Sequence, residues 1–294
     1  MTTSKQDPTA ESLALKAIID SLGELPSSPA VVGLVMGMTS DLNTDVKKLS
    51  RALSADQAIA AKTLKLSNSP LYGRPGGVGS VEEAVLVLGF FTVRSLVIVT
   101  ATYSMFQTDD PHSFESRLWD HSLASAIAAR LIARRLRHPA VEECYLAGLL
   151  HDVGKLIFIQ RFPTEYRELL RRSSEEGVDL IQLEAEEFNF THPQLGAALL
   201  SEWSFPQLMA DAVGDHHMRA AVSDDTSMAP VSIVVRLANE IAASIGAGMK
   251  RDETFELTAD QSWSARALGF DDDALAELTE KVKETFSEEK SLFH

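Results

Sequence analysis

The chain has 294 residues, of which 45% are hydrophobic and 23% are charged, as expected of a globular protein that buries a sizeable core. Its formal net charge of −15 repels phosphate backbones and anionic lipid headgroups, so we expect neither nucleic acid nor a membrane as a partner. The single cysteine, Cys144, excludes an intrachain disulfide and, with an N-terminus that lacks the apolar stretch of a signal peptide, favours a cytoplasmic location.

Helical periodicity runs through almost every segment, and strand patterns are almost absent, which predicts an all-α fold. The first four helices are predicted over residues 10–23, 29–40, 45–54 and 55–66. The hydrophobic run from Ala84 to Met105 contains Arg94 and is interrupted by Gly89. We interpret this run as core helices on either side of the glycine rather than as a membrane span.

Two polar, proline-containing stretches predict the boundaries in the second half of the chain. Residues 107–113 are predicted to separate two helical halves, and residues 221–230 to form an exposed loop. Asp271–Asp273 are predicted to open a last helix, because acidic residues favour helix N-termini. We therefore predict an N-terminal extension (1–22), an N-terminal helical half (23–106), a second half (107–247) and a C-terminal helical extension (248–294).

The most informative motif lies at residues 146–155, where an apolar helix ends in His151-Asp152-Val-Gly-Lys155. A buried carboxylate is costly unless a cation or hydrogen bonds compensate it. A metal ion would supply that compensation, since neutral imidazole and carboxylate are ligands that first-row divalent metals accept. The ammonium of Lys155 could stand near an anionic group such as phosphate.

Five of the eight histidines lie in or near helical segments of the central part: His121, His151, His192, His216 and His217. A lone histidine near an apolar face is more often a hydrogen-bonded structural residue than a ligand, so both interpretations stay open for each one. Five such histidines, one of them in the His151-Asp152 pair, favour a single polar site. In one interpretation this site holds metal, and in the other it does not. The remaining three, His112, His138 and His294, are predicted to be surface residues.

The order of these motifs resembles that of the HD superfamily of metal-dependent phosphohydrolases: His121, His151-Asp152-x-Gly-Lys, Thr-His192-Pro-x-x-Gly, Trp-x-x-Pro and His216-His217. The N-terminal half is similar to the HDOD branch, the HD-related output domains of bacterial signalling proteins, at Leu25-Pro26, Leu64-Lys-Leu-Ser-Asn-Ser-Pro-Leu-Tyr-Gly73 and Val81-Glu-Glu-Ala-Val-x-x-Leu-Gly89. The resemblance covers roughly residues 20–245 and implies a multi-helical, HD-domain-like bundle with an N-terminal helical half.

The resemblance also implies a metal centre, with candidate ligands His121, His151, Asp152, His192, His216 and His217. In catalytic HD domains the minimal ligand set ends with a later aspartate, and this chain has Asn239 where that aspartate would fall. An amide brings no charge, so a metal held there would be bound more weakly. A histidine-dominated set suits iron, manganese, zinc or nickel better than magnesium or calcium, and we expect one or two ions.

Two functions remain open. In the first, the chain is a bacterial regulatory output module that acts through conformation, or through binding a signalling protein or a small phosphorylated ligand. In the second, it is a metal-dependent phosphohydrolase acting on a nucleotide or cyclic dinucleotide, in which Asp152 would orient the nucleophile and Lys155 would steady the charge of the substrate. The residue at position 239 favours the first. Met218 follows His217 where cyclic-dinucleotide phosphodiesterases carry a GYP-type motif.

Overall fold

The computed structural model describes residues 45–55, 57–68, 77–106, 108, 110, 112–203, 205–248 and 254–290, together with the single residues Leu15, Val35 and Met38. Within these residues every regular element is helical and no strand occurs, which confirms the predicted all-α fold. Apart from the three single residues, the helices predicted over 10–23 and 29–40 lie outside the described residues. No helix in the described part of the chain is long and apolar enough to cross a membrane.

The α-helices of the described residues are α1 (Val46–Ser54), α2 (Gln57–Ser67), α3 (Val81–Met105), α4 (Phe114–Leu136), α5 (Val141–Leu150), α6 (Val153–Arg161), α7 (Pro163–Glu176), α8 (Leu180–Phe188), α9 (His192–Glu202), α10 (Gln207–Gly214), α11 (Val231–Ser244), α12 (Trp263–Ala267) and α13 (Asp272–Lys290). The helices predicted over 45–54 and 55–66 correspond to α1 and α2. The Asp271 carboxylate accepts a hydrogen bond from the Ala274 backbone N–H at 2.8 Å and so caps α13, as the acidic run predicted.

The chain divides into two compact units. Among the described residues, the first lies mainly within Asp120–Lys283, and the second lies within Glu24–Trp119 and from Glu284 onwards. The boundaries therefore fall inside α4 and α13. The four-part division expected from the sequence stays a prediction, because residues 107, 109 and 111 of its central seam lie outside the described residues.

In the second unit, α3 packs against α1 and α2. Gly89 interrupts the helical backbone of α3 with φ 77° and ψ 162°, a conformation that only glycine adopts at little cost. Apolar side chains are buried on both sides of it, including Val85 and Val97. The structure thus confirms the pair of core helices predicted around the glycine.

The first unit is a helical bundle around α5, which is buried from Cys144 to Leu150 and packs against α10 and α11. The next helix, α6, packs against α9. Two glycines permit the close approach: a Cβ at Gly148 would lie 2.8 Å from the Ser125 carbonyl oxygen of α4, and a Cβ at Gly154 would lie 2.1 Å from the His192 carbonyl oxygen of α9. The α5–α6 junction and the start of α9 are therefore held close together.

The prediction that His138 is a surface residue is wrong. Its side chain is buried, its Nε2 donates to the Ala229 carbonyl oxygen at 3.0 Å, and its Nδ1 accepts from the Ala140 backbone N–H at 3.0 Å. The imidazole thus joins the α4–α5 connection to the loop before α11, a long-range partner that the local sequence does not show. His112 is exposed, as predicted, and His294 lies outside the described residues.

Candidate metal centre

The six residues predicted as ligands lie together in the first unit. His121 belongs to α4, and His151 and Asp152 form the junction between α5 and α6. The other three lie at the first position of α9 and directly after α10: His192, His216 and His217. All are buried except His217, which is the most exposed of the six.

One half of the site, here called the three-ligand lobe, consists of His121, His151 and the Oδ2 atom of Asp152. This oxygen lies 3.4 Å from His151 Nε2 and 3.7 Å from His121 Nε2. The Lys155 ammonium donates a hydrogen bond to the same oxygen, with Nζ at 2.7 Å. The ammonium therefore offsets part of the cost of burying the carboxylate.

The other half, the four-ligand lobe, consists of the Oδ1 atom of Asp152 with His192, His216 and His217. This oxygen lies 3.3 Å from His192 Nε2 and 3.8 Å from His216 Nε2. The Nε2 atoms of His217 and His192 are 3.3 Å apart. Within each lobe the possible ligand atoms all lie within 4.8 Å of one another, and Asp152 belongs to both lobes.

Backbone carbonyls fix the tautomers of three of the histidines. Each ring donates from Nδ1: His121 to Ala247 at 2.8 Å, His151 to Gly148 at 2.8 Å and His216 to Val213 at 2.7 Å. Because a carbonyl only accepts, Nδ1 must carry the hydrogen, and the neutral ring keeps a lone pair on Nε2. His151 and His216 reach carbonyls three residues back, at the otherwise unsatisfied C-terminal ends of α5 and α10.

A buried carboxylate fixes His192. Glu184 accepts hydrogen bonds from the His192 backbone N–H at 2.7 Å and from its Nδ1 at 2.7 Å, and the Tyr166 hydroxyl donates to its other oxygen at 2.7 Å. Burial alone would lower the pKa of His192, but Glu184 and Asp152 together outweigh burial and raise it. A carboxylate behind the distal ring nitrogen is the arrangement that commonly orients metal-binding histidines.

The electrostatics of the site favour neutral rings at His121, His216 and His217 around an ionised carboxylate. Burial, followed by the influence of His151, lowers the pKa of His121 to about 4. Burial and neighbouring histidines likewise hold the pKa of His216 well below its ordinary value and lower that of His217 to about 2. Burial would raise the pKa of Asp152, but His151 and Lys155 outweigh it and hold that pKa well below its usual range. Metal ligands need these protonation states.

Three buried polar atoms of the site find no hydrogen-bond partner among the described residues: His151 Nε2, His216 Nε2 and Asp152 Oδ1. A buried polar atom left without a partner costs about 1–3 kcal/mol. Imidazole lone pairs and a carboxylate oxygen are donors that a divalent metal would satisfy. The residues present therefore fit a metal ion.

Sequence reasoning missed two supports of this site. Glu184 stands in the acidic run Leu-Glu-Ala-Glu-Glu, where no local signal separates it from Glu186 or Glu187. Arg236 of α11 donates from Nη1 to the His217 carbonyl oxygen at 2.5 Å, and its Nε lies 3.4 Å from the Glu240 carboxylate.

Further side chains of α11 and α12 complete this surrounding layer. Glu240 accepts hydrogen bonds from the hydroxyls of Ser264, at 2.7 Å, and Ser262. Asn239, which the resemblance places at the later aspartate of catalytic HD domains, is half-buried on α11.

Residues 25–219 match the HDOD domain family. An HDOD domain protein of unknown function from Geobacter sulfurreducens has a similar structure, with 28% sequence identity, a TM-score of 0.76 and coverage of 95% of this chain and 97% of that chain. A protein from Shewanella amazonensis, assigned provisionally to the phosphohydrolases, shares the fold at 23% identity and a TM-score of 0.74, covering 96% of this chain and 98% of that chain. A provisionally assigned signal transduction protein from Marinobacter aquaeolei does so at 22% identity and a TM-score of 0.72, covering 99% of this chain and 67% of that chain.

An uncharacterized curated protein of Treponema pallidum (strain Nichols) is 22% identical over 202 residues, or 68% of this chain. The aligned part is 39% of that relative, so the chain spans well under half of its length. Since the family match covers most of the chain and the helical fold agrees with that of the Geobacter protein, the chain belongs to the HDOD domain family.

Proposed function

We propose that the chain is a regulatory output domain whose His/Asp pocket binds a divalent transition metal. The observation that carries the metal is the set of three buried atoms without hydrogen bonds, His151 Nε2, His216 Nε2 and Asp152 Oδ1, in a site whose histidine tautomers are already fixed. Imidazole-rich sets favour iron, manganese, zinc or nickel over magnesium and calcium. The signal would pass through conformation, or through binding a signalling protein or a small phosphorylated ligand.

Three features support regulation over catalysis. The Lys155 ammonium, which a phosphohydrolase would direct at its substrate, is engaged with Asp152, and only 12% of its side chain is exposed. Five of the six candidate ligands are almost wholly buried, which leaves the side of His217 as the approach for a ligand. Asn239 supplies an uncharged amide at the position where the resemblance to catalytic HD domains implies an aspartate ligand.

The second candidate function is a metal-dependent phosphohydrolase acting on a nucleotide or cyclic dinucleotide. The metal would supply polarisation of a phosphoryl oxygen and activation of water. Asp152 would orient the attacking water, and Lys155 would have to leave its ion pair with Asp152 to steady the charge of the substrate. The observation that supports this second function is the presence of Asp152 and Lys155 in one buried site.

Metal analysis of the purified protein, joined to phosphatase and phosphodiesterase assays, tests both candidates. We expect the wild type to bind metal without turnover, and the double variant His151→Ala/Asp152→Ala to lose the metal while keeping its helical circular dichroism. The exposed pair His112→Ala/Asp224→Ala is the matched control and should change neither. Robust turnover that vanishes in the site variant would overturn the regulatory proposal in favour of the enzyme. Failure of the wild type to take up any of the four metals would overturn both.

A further inference from the structure

Resting on the proposed metal binding, we infer that the site holds a single divalent ion in the four-ligand lobe, and that the Lys155 ammonium takes the place of a second cation in the three-ligand lobe. The two lobes share Asp152, but the environments of its two oxygens differ. Oδ1 faces only imidazole nitrogens within the site, whereas Oδ2 also accepts a hydrogen bond from an ammonium at 2.7 Å.

The spacing of donors in the four-ligand lobe is close to that around a tetrahedral ion. Bonds of about 2.0–2.1 Å to nitrogen and oxygen give a tetrahedron whose edges are about 3.3–3.4 Å. Of the six donor–donor distances in the lobe, those from His192 Nε2 to Asp152 Oδ1 and to His217 Nε2 are both 3.3 Å, that from His216 Nε2 to Asp152 Oδ1 is 3.8 Å, and all lie within 4.8 Å. One carboxylate oxygen and three imidazoles therefore stand close to the arrangement of a complete ligand set.

The three-ligand lobe offers fewer ligands than the four-ligand lobe, and its carboxylate oxygen is already paired with a cation. It offers His121, His151 and one oxygen that already pairs with Lys155. A divalent ion there would share that oxygen with the ammonium, and two cations at such short range repel strongly in a buried site of low dielectric constant. His151 Nε2 has no hydrogen bond in this lobe, so it is the donor that a second ion would use if the ammonium were removed.

Titration of the metal-free protein with Zn²⁺ or Mn²⁺, followed by calorimetry and elemental analysis, measures the number of ions directly. We expect one equivalent for the wild type and two for Lys155→Met, which removes the charge but keeps the length of the side chain. Lys155→Arg keeps the charge and is the matched control, so it should bind one equivalent. Adding His121→Ala to Lys155→Met should return the value to one.

A second comparison needs no change at Lys155 and keeps the test decisive if Lys155→Met does not fold. His121→Ala should keep its single ion with an affinity within about threefold of the wild type, whereas His216→Ala should weaken binding at least about a hundredfold. A larger loss of metal affinity in His121→Ala than in His216→Ala would overturn this inference. So would two equivalents of bound metal in the wild type, or one equivalent in a folded Lys155→Met. A wild type that binds no ion would overturn the proposed function instead, so the two failures are distinguishable.

Discussion

The carboxylate behind His192 shows what a single buried residue contributes to the site. Glu184 receives three short hydrogen bonds, from the His192 backbone and ring and from the Tyr166 hydroxyl. Tyr166 in turn stacks on Phe158, with ring centroids 5.0 Å apart. The orientation of one candidate ligand thus depends on an aromatic core that lies outside the site.

We expect Tyr166→Phe to reduce the free energy of unfolding by about 1.5–3 kcal/mol, the usual value of a hydrogen bond to a charged group. The ring and its stacking are kept, so the loss reports on the hydroxyl. Denaturant unfolding measures it, and a metal titration of the same variant should show weaker binding, because Glu184 then holds His192 less firmly. An unchanged midpoint and unchanged affinity would show that Glu184 does not need this donor.

Cys144 is a second residue whose environment determines the chemistry of its side chain. Cys144 is fully buried in α5, and burial, with Glu143 next in importance, raises the pKa of its thiol to about 12. Because the thiolate is the reactive form, we expect no modification of the native protein by a thiol reagent at pH 8. One equivalent should react once the chain is unfolded in denaturant. Rapid labelling of the native protein would contradict the buried, structural role.

At the scale of elements, the site depends on how closely helices approach one another. The α5–α6 junction carries His151 and Asp152, and Gly154 lets α6 meet the start of α9 beside them. The supporting carbonyls of the site lie at helix ends or beyond them, where such groups lack partners within the helix. The close packing of these helices therefore determines the positions of the candidate ligands.

We expect Gly154→Ala to destabilise the protein by about 3 kcal/mol or more, at or above the upper end of the usual range for overpacking. The reason is that its Cβ would lie 2.1 Å from the His192 carbonyl oxygen, so α6 and α9 would have to separate. Gly79→Ala is the matched control: its Cβ would meet nothing within 4 Å, and we expect a change within about 0.5 kcal/mol. Equal midpoints of thermal unfolding for the two variants would contradict the packing argument.

Local patterns predicted the elements better than the supports of the site. Periodicity predicted α1, α2 and the helices on both sides of Gly89, and the acidic run Asp271–Asp273 predicted the start of α13, where the Asp271 carboxylate accepts from the Ala274 backbone N–H at 2.8 Å. These features depend on residues close in sequence. Glu184, Arg236 and the buried state of His138 depend on partners far along the chain, which no local pattern reveals.

At the scale of the whole molecule, charge governs what the surface will bind. The net charge of −15 should prevent retention of the protein on double-stranded DNA, because attraction to phosphate needs a basic surface. Electrophoretic mobility shift at low salt measures this, where electrostatic attraction would be strongest. A salt-dependent shift of the DNA would contradict the prediction and would point to a basic patch within the acidic surface.

A bound metal should stabilise the first unit, because the ligands of the four-ligand lobe come from the α5–α6 junction, the start of α9 and the residues after α10. An ion that binds only the folded state adds about 2.7 kcal/mol at a free concentration a hundredfold above its dissociation constant. Unfolding with and without a chelator measures this, and His151→Ala/Asp152→Ala should show no difference between the two conditions. If the chelator did not change the unfolding of the wild type, this would contradict stabilisation by a bound metal.

The family match ends at residue 219, yet two supports of the site come from later in the chain. The Ala247 carbonyl fixes the tautomer of His121, and Arg236 bonds the His217 carbonyl oxygen. A fragment cut at the limit of family similarity would keep all six candidate ligands while losing both of these contacts. Metal affinities measured on such a fragment would be lower than those of the intact chain. A protein expressed for binding experiments should therefore extend well beyond residue 219, where the family match ends.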